Sequence, residues 1–200
     1  MKHVYNTVLA VTVAILTLGT AHAQFGGLLG GGSSGPSPES IISNYVQGAQ
    51  MVMQAQIQLL EAINEKVQAA KAAASAGNMK EGATKQILED SAKIQTENNK
   101  ILEEKFKAKE LVLDAQSKVL YAQGLGLLGT GVTKYIALVS TLKSFKPSAT
   151  SLGSAAQGAV YVVQTLPTNV STLQRTVSAA IDFGKSQGVP IPADASAALP

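Results

Sequence analysis

From residue 38 onward, apolar side chains return at seven-residue intervals. One row holds Val46, Met53, Leu60, Val67 and Ala74, and a second holds Ile42, Ala49, Gln56, Ile63 and Ala70. Two such rows make a coiled-coil seam along one face of a helix, with Gln56 as its single polar interruption, either tolerated there or setting register. Ser37 offers an N-cap, Pro38 suits the first helical position and Glu39 falls in the first turn. Gly77 and Asn78, with Gly82 close behind, supply the left-handed angles on which a helix ends.

A second helical stretch runs from about Ala83 to Ala122, with an apolar stripe through Ile87, Ile94, Ile101, Ala108, Val112, Ala115 and Val119. Glu81/Lys85, Glu89/Lys93, Glu103/Lys107 and Asp114/Lys118 place an acid four residues before a base, which reads as a solvated helix face and not as paired catalytic carboxylates. Two rods of roughly 60 Å joined by a short connection are antiparallel neighbours. Tyr45, Val52 and Leu59 flank the first seam, and Leu88, Leu102, Phe106, Leu113 and Leu120 lie beside the second. Further helices or another copy of the chain must cover them.

Candidates for that cover follow. Val132, Tyr135, Ile136, Val139 and Leu142 have helical spacing, as do Leu152, Ala156, Ala159, Val160, Val163 and Leu166, which Pro167 should terminate. Leu173, Val177, Ala180, Ile181 and Gly184 predict a last helix, ending at Gly188 before Pro190 and Pro192. The expected fold is all-α: a long antiparallel, coiled-coil-like helical hairpin over 38–122, packed with two or three shorter C-terminal helices over 123–188. A Pro/Ala tail over 189–200 follows, read as loose.

The front of the chain differs in kind. Residues 1–23 read as a signal peptide: Lys2 and His3 form a short basic start, "VLAVTVAILTLGT" an apolar core, and Ala21-His22-Ala23 a small-x-small cleavage site. The core is shorter than the roughly 20 residues a spanning helix needs. Residues 24–37 are a Gly/Ser-rich linker. Export is expected, to the periplasm of a Gram-negative cell, with release from the cell as the alternative.

Cleavage after Ala23 removes both histidines, His3 and His22, from a chain that has no Cys and no Trp. Thiol and imidazole nucleophiles, Ser/His/Asp triads and Cys/His zinc sites are thereby excluded. No catalytic residue, cofactor or metal is expected, although carboxylate metal sites and Ser/Lys pairs stay chemically open. The remaining fifteen bases stand against thirteen acids, too small an excess for nucleic-acid binding.

"GLGLLG" at 124–129 matches G-x-G-x-x-G, yet that phosphate loop needs a strand before it and an acid about 20 residues beyond. Here a charged helix precedes it, and the next acid is Asp182. A break between helices or a close-packing segment explains the glycines better. Membrane contact is the other reading, because residues 119–133 are uncharged and Lys134, Lys143 and Lys146 suit lipid headgroups. A hairpin would bring "FGGLLGGG" and "GLGLLGTG" to one end of the molecule. Phe25, Leu28 and Leu29 on a leash, with Leu125, Leu127 and Leu128, are therefore the candidate interaction surface.

The layout of signal, long helical hairpin and basic or neutral remainder is similar in architecture to periplasmic holdase chaperones and to minor pilus subunits of bacterial type IV secretion systems. No residue motif carries that likeness, and no functional residue is transferred by it. The expected function is that of an exported, non-enzymatic helical protein serving as an assembly, scaffolding or chaperone-like component. Its partner would be a protein or a second copy of itself, met through helices. The alternative is a peripheral lipid-interacting protein that places its Gly/Leu-rich end in a membrane surface.

Overall fold

The computed structural model describes residues 35–108, 110–146 and 153–200. The signal over 1–23 and the linker residues Phe25, Leu28 and Leu29 lie outside them. All regular structure among the described residues is helical: α1 (Pro38–Ala62), α2 (Lys66–Asn78), α3 (Lys85–Phe106), α4 (Ala115–Leu142), α5 (Ser154–Ser186) and α6 (Ala193–Ala197). The starts follow local chemistry. Ser37 Oγ accepts the Ser40 N–H at 3.2 Å with Pro38 at the first position, and Thr84 Oγ1 accepts the Ile87 N–H at 3.4 Å. Asp114 Oδ1 accepts the Ser117 N–H at 2.7 Å, and bonds to Ser117 hold this exposed carboxyl below its ordinary range.

The pairings fix helix directions. Gly48 lies against Tyr135, Val52 against Gly131 and Leu59 against Gly124, so α1 and α4 run antiparallel, and this is the most extensive helix–helix contact. Met53 meets Ser91, Gln56 meets Gln95 and Glu65 meets Lys105, so α3 runs parallel to α1. α5 runs with both, placing Gly158 beside Ile42 and Leu88 and Phe183 on Phe106. α2 doubles back along α1 until Gln50 Nε2 donates to the Met79 carbonyl at 2.6 Å. Tyr45, Val52, Leu59, Leu88 and Leu102 are thereby fully buried, and Leu113 nearly so. The cover that the hairpin rows required comes from the chain's own C-terminal helices.

Several expectations are corrected. The two rods are each interrupted: α1 ends at Ala62 and α2 starts at Lys66, while α3 ends at Phe106 and α4 starts only at Ala115. The first break turns on Asn64, whose φ of 63° is the one positive value at a non-glycine among the described residues. The second lets Phe106 stack on Phe183 at 5.2 Å and buries Leu113. The stripe assigned to the second rod is likewise not its core. Val112 and Val119 are 79% and 59% exposed, and Ile87, Ile94 and Ile101 are only half-buried.

Of the two readings of the glycine run 124–129, the close-packing one holds and the break does not: the run lies inside α4, where its glycines admit neighbouring backbone. Proline behaves differently from expectation. Pro167 sits within α5, on its exposed side, where a lost intrahelical bond is replaced by water at least cost. Nor is the tail loose: α6 lies on α4, with Ala195 and Ala198 fully buried and Gln174 Nε2 donating to the Ala198 carbonyl at 3.0 Å. Of the four expected acid-to-base pairs, none is among the ion pairs of the described residues. Those are Lys85–Glu89 at 3.3 Å and Lys105–Glu65 at 2.5 Å. Glu103 instead accepts the Thr176 hydroxyl at 2.8 Å.

Candidate interaction surface

Of the six residues singled out in the sequence, Phe25, Leu28 and Leu29 lie outside the described residues. Leu125 and Leu128 are fully buried and Leu127 is half-buried, so two of the three described leucines serve the core and offer nothing to a partner. The glycines between them explain this. A Cβ on Gly124 would stand 3.1 Å from the Ala55 carbonyl oxygen, and one on Gly131 would stand 3.1 Å from the Val52 nitrogen. On the other side of α4, Gly129 lies directly against the Asp194 and Ala195 backbone. Small residues here let three backbone segments approach one another, so the leucines between them are enclosed.

The expected meeting of the two Gly/Leu-rich segments involves residues 25–32, which lie outside the described residues. Gly35 abuts Ser144 and Phe145, about 30 Å of helix away from residue 124. Geometry also disposes of the phosphate-loop reading, since 124–129 is mid-helix and its backbone N–H groups are committed to α4.

Polar groups are buried elsewhere, in a belt joining α1, α2 and α3. Gln56 Nε2 donates to the Gln95 carbonyl at 3.0 Å and to Asn99 Oδ1 at 2.7 Å. Asn98 Nδ2 donates to Gln56 Oε1 at 2.9 Å, while Asn98 Oδ1 accepts from Gln68 Nε2 at 2.8 Å. Gln95 in turn donates to Ser91 Oγ, which donates to Met53 Sδ. Each amide names its partner by geometry, so a one-residue slip of α3 would leave several buried groups unpaired, each costing about 1–3 kcal/mol. Gln56, the polar interruption in the seam, is the hub of this belt.

The α1–α4 contact holds a second polar feature. Tyr45 and Tyr135 stack with centroids 5.3 Å apart and rings 15° from parallel. Neither hydroxyl makes a well-formed hydrogen bond, although each lies close to the other phenol and that of Tyr135 also lies close to Gln95. Burial pushes both phenols well above the ordinary value of 10.0 and keeps them neutral. Tyr121 is raised for the same reason, but its hydroxyl donates to the Ala180 carbonyl at 2.7 Å.

Two open grooves lie near the 77–84 turn. One, of about 230 Å³, is lined by Ser75, Gly77, Asn78, Lys80, Ile87 and Asp90, and the other, of about 410 Å³, by residues that include Glu39, Ile42, Glu81 and Ala155. No group of three or more acidic side chains among the described residues is placed to hold a metal ion. α4 is long and apolar enough to cross a bilayer by length and composition. Its buried residues, among them Tyr121, Leu125, Leu128 and Val132, pack within a fold in which it contacts α1, α5 and α6, while Val119 is exposed and Leu120, Leu127, Ile136 and Val139 are half-buried. The polar belt and the exposed end of the seam are what sequence reasoning missed; a heptad pattern locates a face without saying which neighbour takes it. Comparison with family models, with curated proteins and with solved structures finds no match to this chain.

Proposed function

We propose that the chain is an exported, non-enzymatic protein that works through helix surfaces as an assembly, scaffolding or chaperone-like component of the periplasm. The observation that carries this reading is the division of apolar residues on α3. The middle of its buried face is polar (Ser91, Gln95, Asn98 and Asn99) between buried Leu88 and Leu102, whereas Ile87, Ile94 and Ile101 lie half-buried along a flank. A helix with isoleucines at seven-residue spacing on an incompletely covered flank is suited to another helix. The long antiparallel hairpin over 38–122 belongs to the same proposal, as a form in which both apolar rows are presented to a partner. The segment with Phe25, Leu28 and Leu29 is an accessory docking element in it.

The second reading, a peripheral lipid-binding protein, draws on α4, whose composition would suit a bilayer. One experiment separates the two. The chain is expressed in a Gram-negative host, recovered by osmotic shock, weighed by mass spectrometry and floated with anionic liposomes. A product beginning at Gln24 that stays at the bottom of the gradient and cross-links to an envelope protein in whole cells supports the first. Co-flotation that salt only weakens supports the second, and an unprocessed cytoplasmic product defeats both.

A further inference from the structure

The isoleucine row of α3 stays half-buried because of what α2 sets beside it. Gln68 turns toward α3 and bonds Asn98, and Ser75 and Asn78 lie beside Ile87. Between Gln68 and Ser75 every α2 residue except Lys71 is alanine. α2 therefore cannot reach across the row, and a groove runs between the two helices. The opening lined by Ser75, Asn78, Ile87 and Asp90 is one end of it. α2 and α3 run antiparallel, so Ile94 and Ile101 continue the floor toward Gln68 and the bend at Asn64. From Ile87 to Ile101 that floor measures about 21 Å, or four helical turns. Its two rims differ in charge. Asp90, Glu97 and Glu104 each follow an isoleucine by three residues, which sets them about 60° round the helix, away from buried Ser91 and Asn98. All three are exposed, and neither ion pair of the described residues uses one of them. Asp90 accepts from Gln86 at 3.0 Å, a neutral donor that leaves its charge uncompensated. Lys93 and Lys100 lie about 40° further out, beyond the acids as seen from the groove. On the opposite rim, exposed Lys71 shares a face with Asn78, and Lys80 stands at the mouth.

We infer that this groove takes an amphipathic helix of a partner protein, about four turns long, with aliphatic residues at seven-residue spacing and a row of Lys or Arg set against Asp90, Glu97 and Glu104. The inference rests on the reading of the α3 flank as a helix-docking face and adds which helix that face accepts. The isoleucine floor supplies burial without direction, since any apolar stripe would be taken from water there. Direction comes from the rims. The carboxylates recur about every 10 Å, the rise of seven helical residues, so bases repeated in the same period meet all three. A helix flanked by acids lies against like charge along the α3 side, and one basic on both sides meets Lys71 and Lys80 on the other. The rims thus select a helix with its bases on one side only. The α3 flank of a second copy would bring the same concave groove and no ridge to fill it.

The test titrates the purified full chain into two fluorescent synthetic helices and reads anisotropy. Both probes carry leucine at the same seven-residue spacing; one has lysine along a single side of the leucine row, and the other has glutamate there. The lysine probe should bind saturably and at least about tenfold more tightly than the glutamate probe at low salt, with the margin closing as salt screens the rim. Glu97→Lys, at an exposed position, should weaken the lysine probe about five- to tenfold. Asp182→Lys makes the same charge change on exposed α5 surface and should leave it within about twofold, a general field effect only. Ile94→Ser should cost about tenfold by removing the middle of the floor. Unchanged helical circular dichroism confirms that each variant folds. Equal losses from Glu97→Lys and Asp182→Lys would overturn the inference, because attraction to net charge would explain them. Equal or tighter binding of the glutamate probe, sensitive to Ile94→Ser, would overturn it while leaving the helix-docking reading of α3 in place. Binding of neither probe would overturn both. A dimer of the chain alone in light scattering, lost in Ile94→Ser and undisturbed by the lysine probe, would assign the groove to a second copy and overturn it as well.

Discussion

The two long sides of α1 are built on different principles. Toward α4 the contact is close and apolar, with Val52 against Gly131, Leu59 against Gly124 and stacked Tyr45 and Tyr135. Toward α3 the centre of the contact is amide on amide, through Gln56, Gln95, Asn98 and Asn99. The first side removes apolar surface from water, and its register rests on Gly124 and Gly131 meeting the α1 backbone. The second contributes little net burial energy but penalises any shift, since a buried amide without its partner is costly. Shape holds one face of the helix in place and hydrogen bonding the other.

Truncating the apolar side should have the largest effect. Leu59→Ala removes a fully buried side chain and should lower unfolding free energy by about 2–5 kcal/mol in a denaturant titration, with the slope unchanged. Asn98→Leu attacks the other side. It strands Gln56 Oε1 and Gln68 Nε2 in a buried belt and should cost about 2–4 kcal/mol. The comparison is sharpened by adding Gln56→Leu and Gln68→Leu to it. If the belt serves register, the triple variant recovers most of the lost stability yet shows broadened amide spectra from α3. Recovery with sharp, wild-type-like spectra would show that the belt sets nothing.

The next effect is pH-dependent and belongs to the α4 side and its neighbour α5. Tyr45, Tyr121 and Tyr135 hold their protons to higher pH in the folded chain than the ordinary 10.0 of the unfolded one. Their contribution is therefore complete below about pH 10 and declines as pH rises beyond it, by about 1.4 kcal/mol per pH unit for each phenol. Alkaline unfolding should be steep, and Tyr45→Phe or Tyr135→Phe should each flatten it by one phenol's share. At neutral pH the same two variants should be neutral or stabilising, because their hydroxyls have no hydrogen bond to lose. Tyr121→Phe gives up its bond to the Ala180 carbonyl and should cost about 1 kcal/mol. Equal neutral-pH costs for all three would mean that the stacked pair is satisfied after all.

Much of the helical content was legible, and the reasons for the failures are particular. Ser37-Pro38, Gly77-Asn78-Gly82 and Gly188 act locally, and the chain starts, stops and turns where they stand. The break at Asn64 leaves no such mark, because it is made by what α2 meets after reversing. Gly124, Gly126 and Gly129 look like a break in isolation, yet Ala55, Pro192 and Asp194 are the neighbours that need the space, and they are distant in sequence. Leu125 and Leu128 are enclosed by α1 and by the C-terminal residues, neighbours that no local pattern at 124–129 names. Gln56 was legible as an anomaly but not as a hub, since Asn98 and Asn99 lie about 40 residues away in sequence and neither follows a motif.

The smallest effects test whether glycine on this molecule is spacing or accident. Gly129 lies against the Asp194–Ala195 backbone, which cannot rotate aside as a side chain can. Gly129→Ala should therefore lift the α6 segment off α4, at a net cost of about 1–2 kcal/mol after a helix-propensity gain of about 1 kcal/mol. Gly77 also lies in a helix, but nothing stands within 4 Å of where its Cβ would be. Gly77→Ala keeps the propensity gain with no clash and should stabilise by about 0.5–1 kcal/mol. Hydrogen exchange on residues 190–200 distinguishes the two cases beyond their sign. Protection there should fall in Gly129→Ala and stay as in wild type in Gly77→Ala. If both variants are equally stabilising and the C-terminal residues remain protected, the α4–α6 contact is looser than the packing requires, and the glycines of 124–129 are not there to admit it.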